Sequence, residues 1–369
     1  MAIKVWDYLK EYEQEKHEIY AAVEKVLSSG HLILGDSVKN FEEAFAAYCG
    51  VKFGVGVNSG TDALFLGMKA LGIGAGDEVI TVANTAVPTV SSIIAAGATP
   101  AFVDIVPETY LMDTTLLKKA ITKKTKCILP VHLYGQCVNM ESIKSIAQKY
   151  GLKIIEDCAQ SHGASFNGMK AGSMSDLAAF SFYPTKVLGA FGDGGMAVTS
   201  DISLNEKLRR LRFYGMEKTY YSEEPGYNSR LDELHAEILL RKLSHLDQYI
   251  TRRKELASQY DQLLSATSLT LPKTMPGNEH VYYLYVCRHP QRDKIISMLR
   301  AKDIFVNVSY PWPIHTMRGF KNLGYKDGDL PHTEKAANEI FSLPLYPSLT
   351  EQEQRVVIDA LLKILEDID

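Results

Sequence analysis

The sequence predicts an α/β protein: a large, mostly parallel sheet layered between helices, followed by a smaller α+β domain. Three observations carry this expectation. Between Phe53 and Thr199 short β-branched runs alternate with helical patterns, the rhythm of βαβ units. From Leu231 to Leu264 there is no Gly or Pro, and Leu231, Leu234, Ile238, Leu243, Leu246 and Ile250 share one helical face, which predicts a long helix leaving the large domain. The 369 residues also exceed what one hydrophobic core usually organises. The expected division is residues 1–250, with an N-terminal helical segment, and residues 251–369.

In chain order, strands are expected at Phe53–Val57, Glu78–Thr81, Thr99–Val103, Lys126–Leu133 and Lys153–Asp157. Helices are expected at Asp62–Leu71, Pro88–Ala96 and Met140–Tyr150, closed by Gly72, Gly97 and Gly151 in the left-handed cap conformation. Two further strands, Ala178–Ser181 and Gly195–Thr199, flank the loop Gly189-Ala190-Phe191-Gly192-Asp193-Gly194-Gly195, whose glycines suggest unusual backbone angles. After Pro272 come a strand at His280–Cys287, a helix at Asp293–Lys302, a Pro-rich passage around Trp312 and an amphipathic helix from Glu351.

Composition narrows the function. Lys plus Arg number 40 against 44 Asp plus Glu, a net charge of -4 without any run of like charges, so nucleic acid and anionic membrane are poor partners. No leader or bilayer-spanning apolar run is evident, which suits a cytoplasmic enzyme. The five cysteines form no Cys-x-x-Cys pair and are odd in number, so neither a disulfide framework nor a zinc knuckle is expected. His132 and His162 lack a short-spaced second ligand and read as structural histidines, leaving no metal site.

Four segments carry candidate chemistry. Asn58-Ser59-Gly60-Thr61-Asp62 lies between a strand and a helix, where free N–H groups bind phosphate, although these are also ordinary capping residues. Glu156-Asp157 ends an apolar strand, where ligands of open α/β sheets are met; alternation leaves open which carboxylate enters the cleft and whether it faces a ligand or a structural cation. Ser181-Phe182-Tyr183-Pro184-Thr185-Lys186 places a lysine between a buried strand and the glycine loop, where desolvation makes an amine nucleophilic. Gly226-Tyr227-Asn228-Ser229-Arg230 is a polar turn opening the next helix, readable as a simple cap. Phosphate cradle, ring-nitrogen carboxylate and Schiff-base lysine, in this order, together describe a site for pyridoxal 5'-phosphate (PLP).

With these segments the chain resembles the DegT/StrS-type sugar aminotransferases, PLP enzymes of fold type I, the aspartate aminotransferase-like fold. Gly30-His31-Leu32-Ile33-Leu34-Gly35, Ser59 to Leu64, His132-Leu133-Tyr134-Gly135, Glu156-Asp157-Cys158-Ala159-Gln160, Ser181 to Lys186 and Asn228 to Glu233 carry the resemblance, which covers nearly the whole chain. It implies Lys186 as the Schiff-base lysine and Asp157 as partner of the ring nitrogen. It further implies Gln160 beside the ring, Gly60, Thr61 and Ser181 on the phosphate, and Asn228 on the phosphate of a neighbouring subunit, hence a homodimer with shared active sites. Where many relatives stack Trp or Phe on the ring, this chain has Ala86. The Ala83-Asn84-Thr85 version, with Tyr214 to Tyr221, resembles the branch that aminates C3 of dTDP-3-keto-6-deoxyhexoses, with L-glutamate as the family's usual donor. Tyr183, Tyr220 and His315 are candidate substrate contacts, and so is Trp312, which packing would explain equally well. Rival expectations are a 4-aminotransferase acting on a 4-keto sugar nucleotide and a non-catalytic PLP-binding regulator. A C3 dehydratase would carry histidine at position 186, and a desulfurase would need a mobile cysteine.

Overall fold

A computed structural model describes residues 2–368. A seven-stranded sheet runs in the order Phe53–Val57, Gly195–Thr199, Leu177–Ser181, Lys153–Asp157, Thr125–Ile128, Glu78–Val82 and Thr99–Val103. Gly195–Thr199 pairs antiparallel with both neighbours, and the remaining pairs are parallel. The parallel strands are buried on both faces because helices cover them, which is why they read as continuous apolar runs. Gly60–Ala70 packs against the Leu177 and Gly195 strands, while Asp36–Cys49 packs against the Phe53 strand and the helix Glu233–Leu243. Gly72, Gly97 and Gly151 all take positive φ (74, 92 and 65°), so each helix ends where a Cβ would be strained.

Among the described residues two large apolar cores are present, beside a small cluster of Ala83, Val90, Phe102, Ile314 and Leu330. The larger surrounds the sheet and extends to Leu246 and Ile250. The second gathers Leu256, Tyr260 and Leu264 with Tyr285, Phe341 and the C-terminal helix Glu351–Ile368, and it also takes in Ile3. Its strands Tyr285–Arg288 and Ile340–Leu343 form an antiparallel pair.

Several expectations change. The run Leu231–Leu264 is two helices, Glu233–Leu243 and Leu246–Leu264, because Ser244 turns its hydroxyl back onto the Arg241 carbonyl and His245 restarts the chain. The strand expected at His280–Cys287 begins only at Tyr285, since Tyr282 adopts φ 49° and cannot join a ladder. The strand expected at Lys126–Leu133 stops at Ile128, after which Pro130 has no N–H to donate. None of the four glycines of the 189–195 loop is left-handed. They are required by close approach: a Cβ at Gly189 would lie 2.4 Å from the Pro184 carbonyl oxygen, and one at Gly195 would lie 2.2 Å from the Ser59 carbonyl carbon.

Candidate active site at the strand ends

Three parallel or edge strands end side by side, and the loops that leave them enclose a cavity of about 220 Å³. Ser59, Gly60 and Thr61 line it from one side, Asp157 and Ala159 from the floor, and Ser181, Tyr183 and Lys186 from the other. Ligands of open α/β sheets collect at this end because the strands' last residues and the following helix N-termini converge there.

The phosphate-type end is built by close packing. Ser59 caps its helix by accepting the Asp62 N–H at 3.1 Å, leaving the Gly60 and Thr61 amides in the first turn without intrahelical acceptors. Gly60 must lack a side chain, since a Cβ would sit 2.7 Å from the Ser181 Cβ. That contact sets Ser181 beside the helix N-terminus. An anion is favoured here by the unpaired amides and the helix dipole.

The carboxylate question resolves by the pleat of the Lys153–Asp157 strand, whose alternate side chains point to opposite faces. Glu156 is fully buried away from the cavity and accepts from His132 Nε2, the Gly172 and Met174 amides and Ser175 Oγ at 2.8 to 3.1 Å. Desolvation would raise its pKa, but these donors together hold it below the usual carboxylate range. His132 Nδ1 accepts the Val138 N–H, so its proton resides on Nε2 toward Glu156. Asp157 is the carboxylate that reaches the cavity. Thr89 Oγ1 donates to its Oδ2 at 2.8 Å, and the Ala159 N–H to its Oδ1 at 3.1 Å. Burial nevertheless holds its carboxyl above the ordinary value, with Thr89, Ala159 and nearby Lys186 opposing that rise. A buried carboxyl in this state is suited to a cationic ring nitrogen, whose charge would offset the desolvation. Anion cradle, unmatched carboxylate and cavity lysine fit the donor set that PLP requires.

The other expected residues lie as follows. Gln160 is buried behind the cavity, where its Oε1 accepts the Tyr134 N–H at 2.7 Å and its Nε2 donates to the Tyr310 hydroxyl. Asn228 exposes its side chain while its carbonyl accepts from Asn58 Nδ2 at 3.1 Å, so its segment is tied to the phosphate-type loop. Ser229 reinforces the tie by donating to Asp62 Oδ2 at 2.6 Å. Tyr220, 95% exposed, tips the hairpin Met216–Lys218 and Tyr221–Ser222 and does not line the cavity. His315, expected as a substrate contact, is 1% exposed within one chain, and its Nε2 pairs with Glu334 at 2.9 Å, outside the cavity lining. Trp312 is 69% exposed, which removes the packing explanation within one chain. His162 is buried with neither ring nitrogen hydrogen-bonded, and desolvation lowers its pKa to about 3. All five cysteines are buried free thiols, their pKa values raised by burial. Among the described residues His132, Glu156 and Cys158 alone meet as three metal-type ligands, and the hydrogen bonds above already occupy the histidine and glutamate. Sequence reasoning missed Thr89, although its place in the first turn of a helix following a parallel strand was a usable signal.

Fold and cavity together define a PLP-type α/β enzyme. The chain belongs to the DegT/DnrJ/EryC1/StrS aminotransferase family, which matches residues 13–362. It is an aminotransferase, and the family is PLP-dependent. A dTDP-3-amino-3,4,6-trideoxy-alpha-D-glucose transaminase of Micromonospora megalomicea is 55% identical, covering 99% of this chain and 99% of its own length. A protein of Geobacillus stearothermophilus named pleiotropic regulatory protein is 45% identical, with 98% of each chain covered. Among solved structures, S. venezuelae DesV in complex with a ketimine intermediate superposes with a TM-score of 0.98 at 42% identity, covering 100% of both chains. Among the described residues no helix is long and apolar enough to cross a membrane.

Proposed function

We propose that this enzyme transfers an amino group from L-glutamate to C3 of a dTDP-linked 3-keto-6-deoxyhexose, giving a dTDP-3-amino-3,6-dideoxyhexose. The observation that carries the reading is the meeting of Lys186, Asp157 and the Gly60-Thr61 helix N-terminus in one cavity. The transaminase name of the Micromonospora relative supports C3 as the site of amination.

Bound PLP would supply an electron sink for the carbanion left when a proton is removed beside nitrogen. The chain's residues divide the remaining work. The amides of Gly60 and Thr61 and the Ser181 hydroxyl bind the phosphate and fix the register of the ring. Asp157 would pair with the ring nitrogen and keep it protonated, an electrostatic contribution in place before reaction begins. Lys186 Nζ would hold the cofactor through its aldehyde and, once released by the donor, would serve as the base and acid that moves the proton beside the nitrogen. In the second half-reaction the same Nζ moves a proton in the opposite sense. Gln160, fixed by Tyr134 and Tyr310, packs beside the ring, and Ala86 in the cavity wall leaves space where an aromatic side chain would stack. Tyr183 lies at the cavity and serves the sugar; exposed Tyr220 serves it from the hairpin.

The enzyme in this reading is a cytoplasmic homodimer, Asn228 of one protomer reaching the phosphate of the other. Its exposed side chain on an anchored backbone supports that role.

The test is a multiple-turnover assay with PLP, L-glutamate and dTDP-3-keto-6-deoxyhexose, the product characterised by NMR. Amination at C3 is expected. Amination at C4 would replace the regiochemistry, and binding without turnover would favour a regulator, a reading the name of the Geobacillus relative keeps in view.

A further inference from the structure

Resting on the assignment of Lys186 above, we propose that the ring face of Tyr283 is the seat of the Lys186 amine when it is not attached to the cofactor, which makes Tyr283 a positioning residue. Lys186 Nζ lies 4.6 Å from the centre of that ring. Among the described residues no carboxylate forms an ion pair with Lys186, and the ring face lies against its charge.

The ring is held from three directions. Its hydroxyl shares a 3.1 Å hydrogen bond with Thr185 Oγ1, the residue beside the lysine. Its backbone lies against the Tyr134-Gly135 turn: the Val281 N–H donates to the Gly135 carbonyl at 2.9 Å, and a Cβ at Gly135 (φ 106°) would come within 2.8 Å of the Tyr283 nitrogen. Buried Arg253 donates to the carbonyls of Tyr282 and Tyr283 at 3.3 Å and of Leu345 at 2.9 Å. A ring so fixed offers a defined seat for the ammonium of a lysine that lines the cavity.

The other titratable groups that act on the amine are Asp157 and His162. His162 is neutral at ordinary pH and Asp157 attracts the ammonium through its charge, while the ring adds a contact with the amine that neither of them makes.

The experiment is competitive acetylation of the full-length, cofactor-free chain across a pH range, with Lys186 followed by peptide mass spectrometry. Tyr283→Leu is expected to lower the pH at which Lys186 becomes reactive by about half a unit to one and a half units. Tyr283→Phe keeps the ring face and should overlay the wild type, and Tyr283→Met replaces Leu if that variant fails to fold. A Leu or Met variant that titrates like the wild type overturns the proposal, as does a Phe variant that shifts as far as Leu, which would assign the effect to the hydroxyl. Adding PLP to the wild type separates the two levels. If no lysine-bound absorption band forms, the underlying reading fails; if the band forms and the titration does not move, only the Tyr283 assignment fails.

Discussion

At the scale of single residues, the decisive distinction is between neighbouring carboxylates. Glu156 and Asp157 are adjacent in sequence, yet one is satisfied by four donors inside the fold and the other is held in the cavity by two. Asp157→Asn should therefore slow the glutamate half-reaction roughly 100-fold or more while PLP still binds, as expected when a preorganised charge is removed; stopped-flow absorbance checks this, and a variant as fast as wild type would remove Asp157 from its role. Thr89→Val deletes a hydrogen bond to the ionised carboxylate and should slow the same step roughly 10-fold. With that donor gone the Asp157 carboxyl rises further, so it ionises only at higher pH. The acidic limb of the rate profile must then move upward in pH, and an unmoved limb counts against the assignment. Strand alternation could not choose between Glu156 and Asp157, because it gives opposite faces without saying which face is the cleft; only the family resemblance pointed to Asp157. Nor could the sequence pair Thr89 with Asp157 across 68 positions, although the place of Thr89 in the first turn of its helix was legible.

At the scale of elements, the strands with β-branched cores and the helices closed by Gly72, Gly97 and Gly151 were legible because their signals are local. The glycine loop was legible as special but for another reason than backbone handedness. Gly195 faces Val57 in the ladder and lies against Ser59, so its missing side chain lets the phosphate-type turn pack on the sheet. Gly195→Ala should cost roughly 3 kcal/mol, the upper range for forcing atoms into a packed interior, and should weaken PLP binding with it. Chemical denaturation and cofactor titration measure both. A variant of wild-type stability would show that the turn yields easily. The split of the expected Leu231–Leu264 helix was invisible because nothing in Ser244-His245 is a strong breaker; it shows only in the folded backbone, where Ser244 Oγ donates to the Arg241 carbonyl.

For the whole molecule, burial makes acid sensitivity a property of the fold. His162 and His280, one in the sheet region and one beneath the strand pair, are both held neutral by desolvation, with pKa values lowered to about 3. In the unfolded chain each takes up a proton near pH 6.5, so stability present above that value is lost as pH falls toward 3, by about 1.4 kcal/mol per pH unit for each group. His162→Phe should flatten the slope of unfolding free energy between pH 6 and pH 4 by roughly that amount per unit; an unchanged slope would mean that His162 already protonates in the folded state. The central claim is that these strand ends hold PLP on Lys186 and run transamination. The most direct measurement is the absorption spectrum of the PLP-treated, desalted protein before and after L-glutamate is added without sugar. A long-wavelength, lysine-bound band is expected that gives way to the shorter-wavelength pyridoxamine form and that Lys186→Ala abolishes. A protein that retains no band, or a band unchanged in Lys186→Ala, would contradict it.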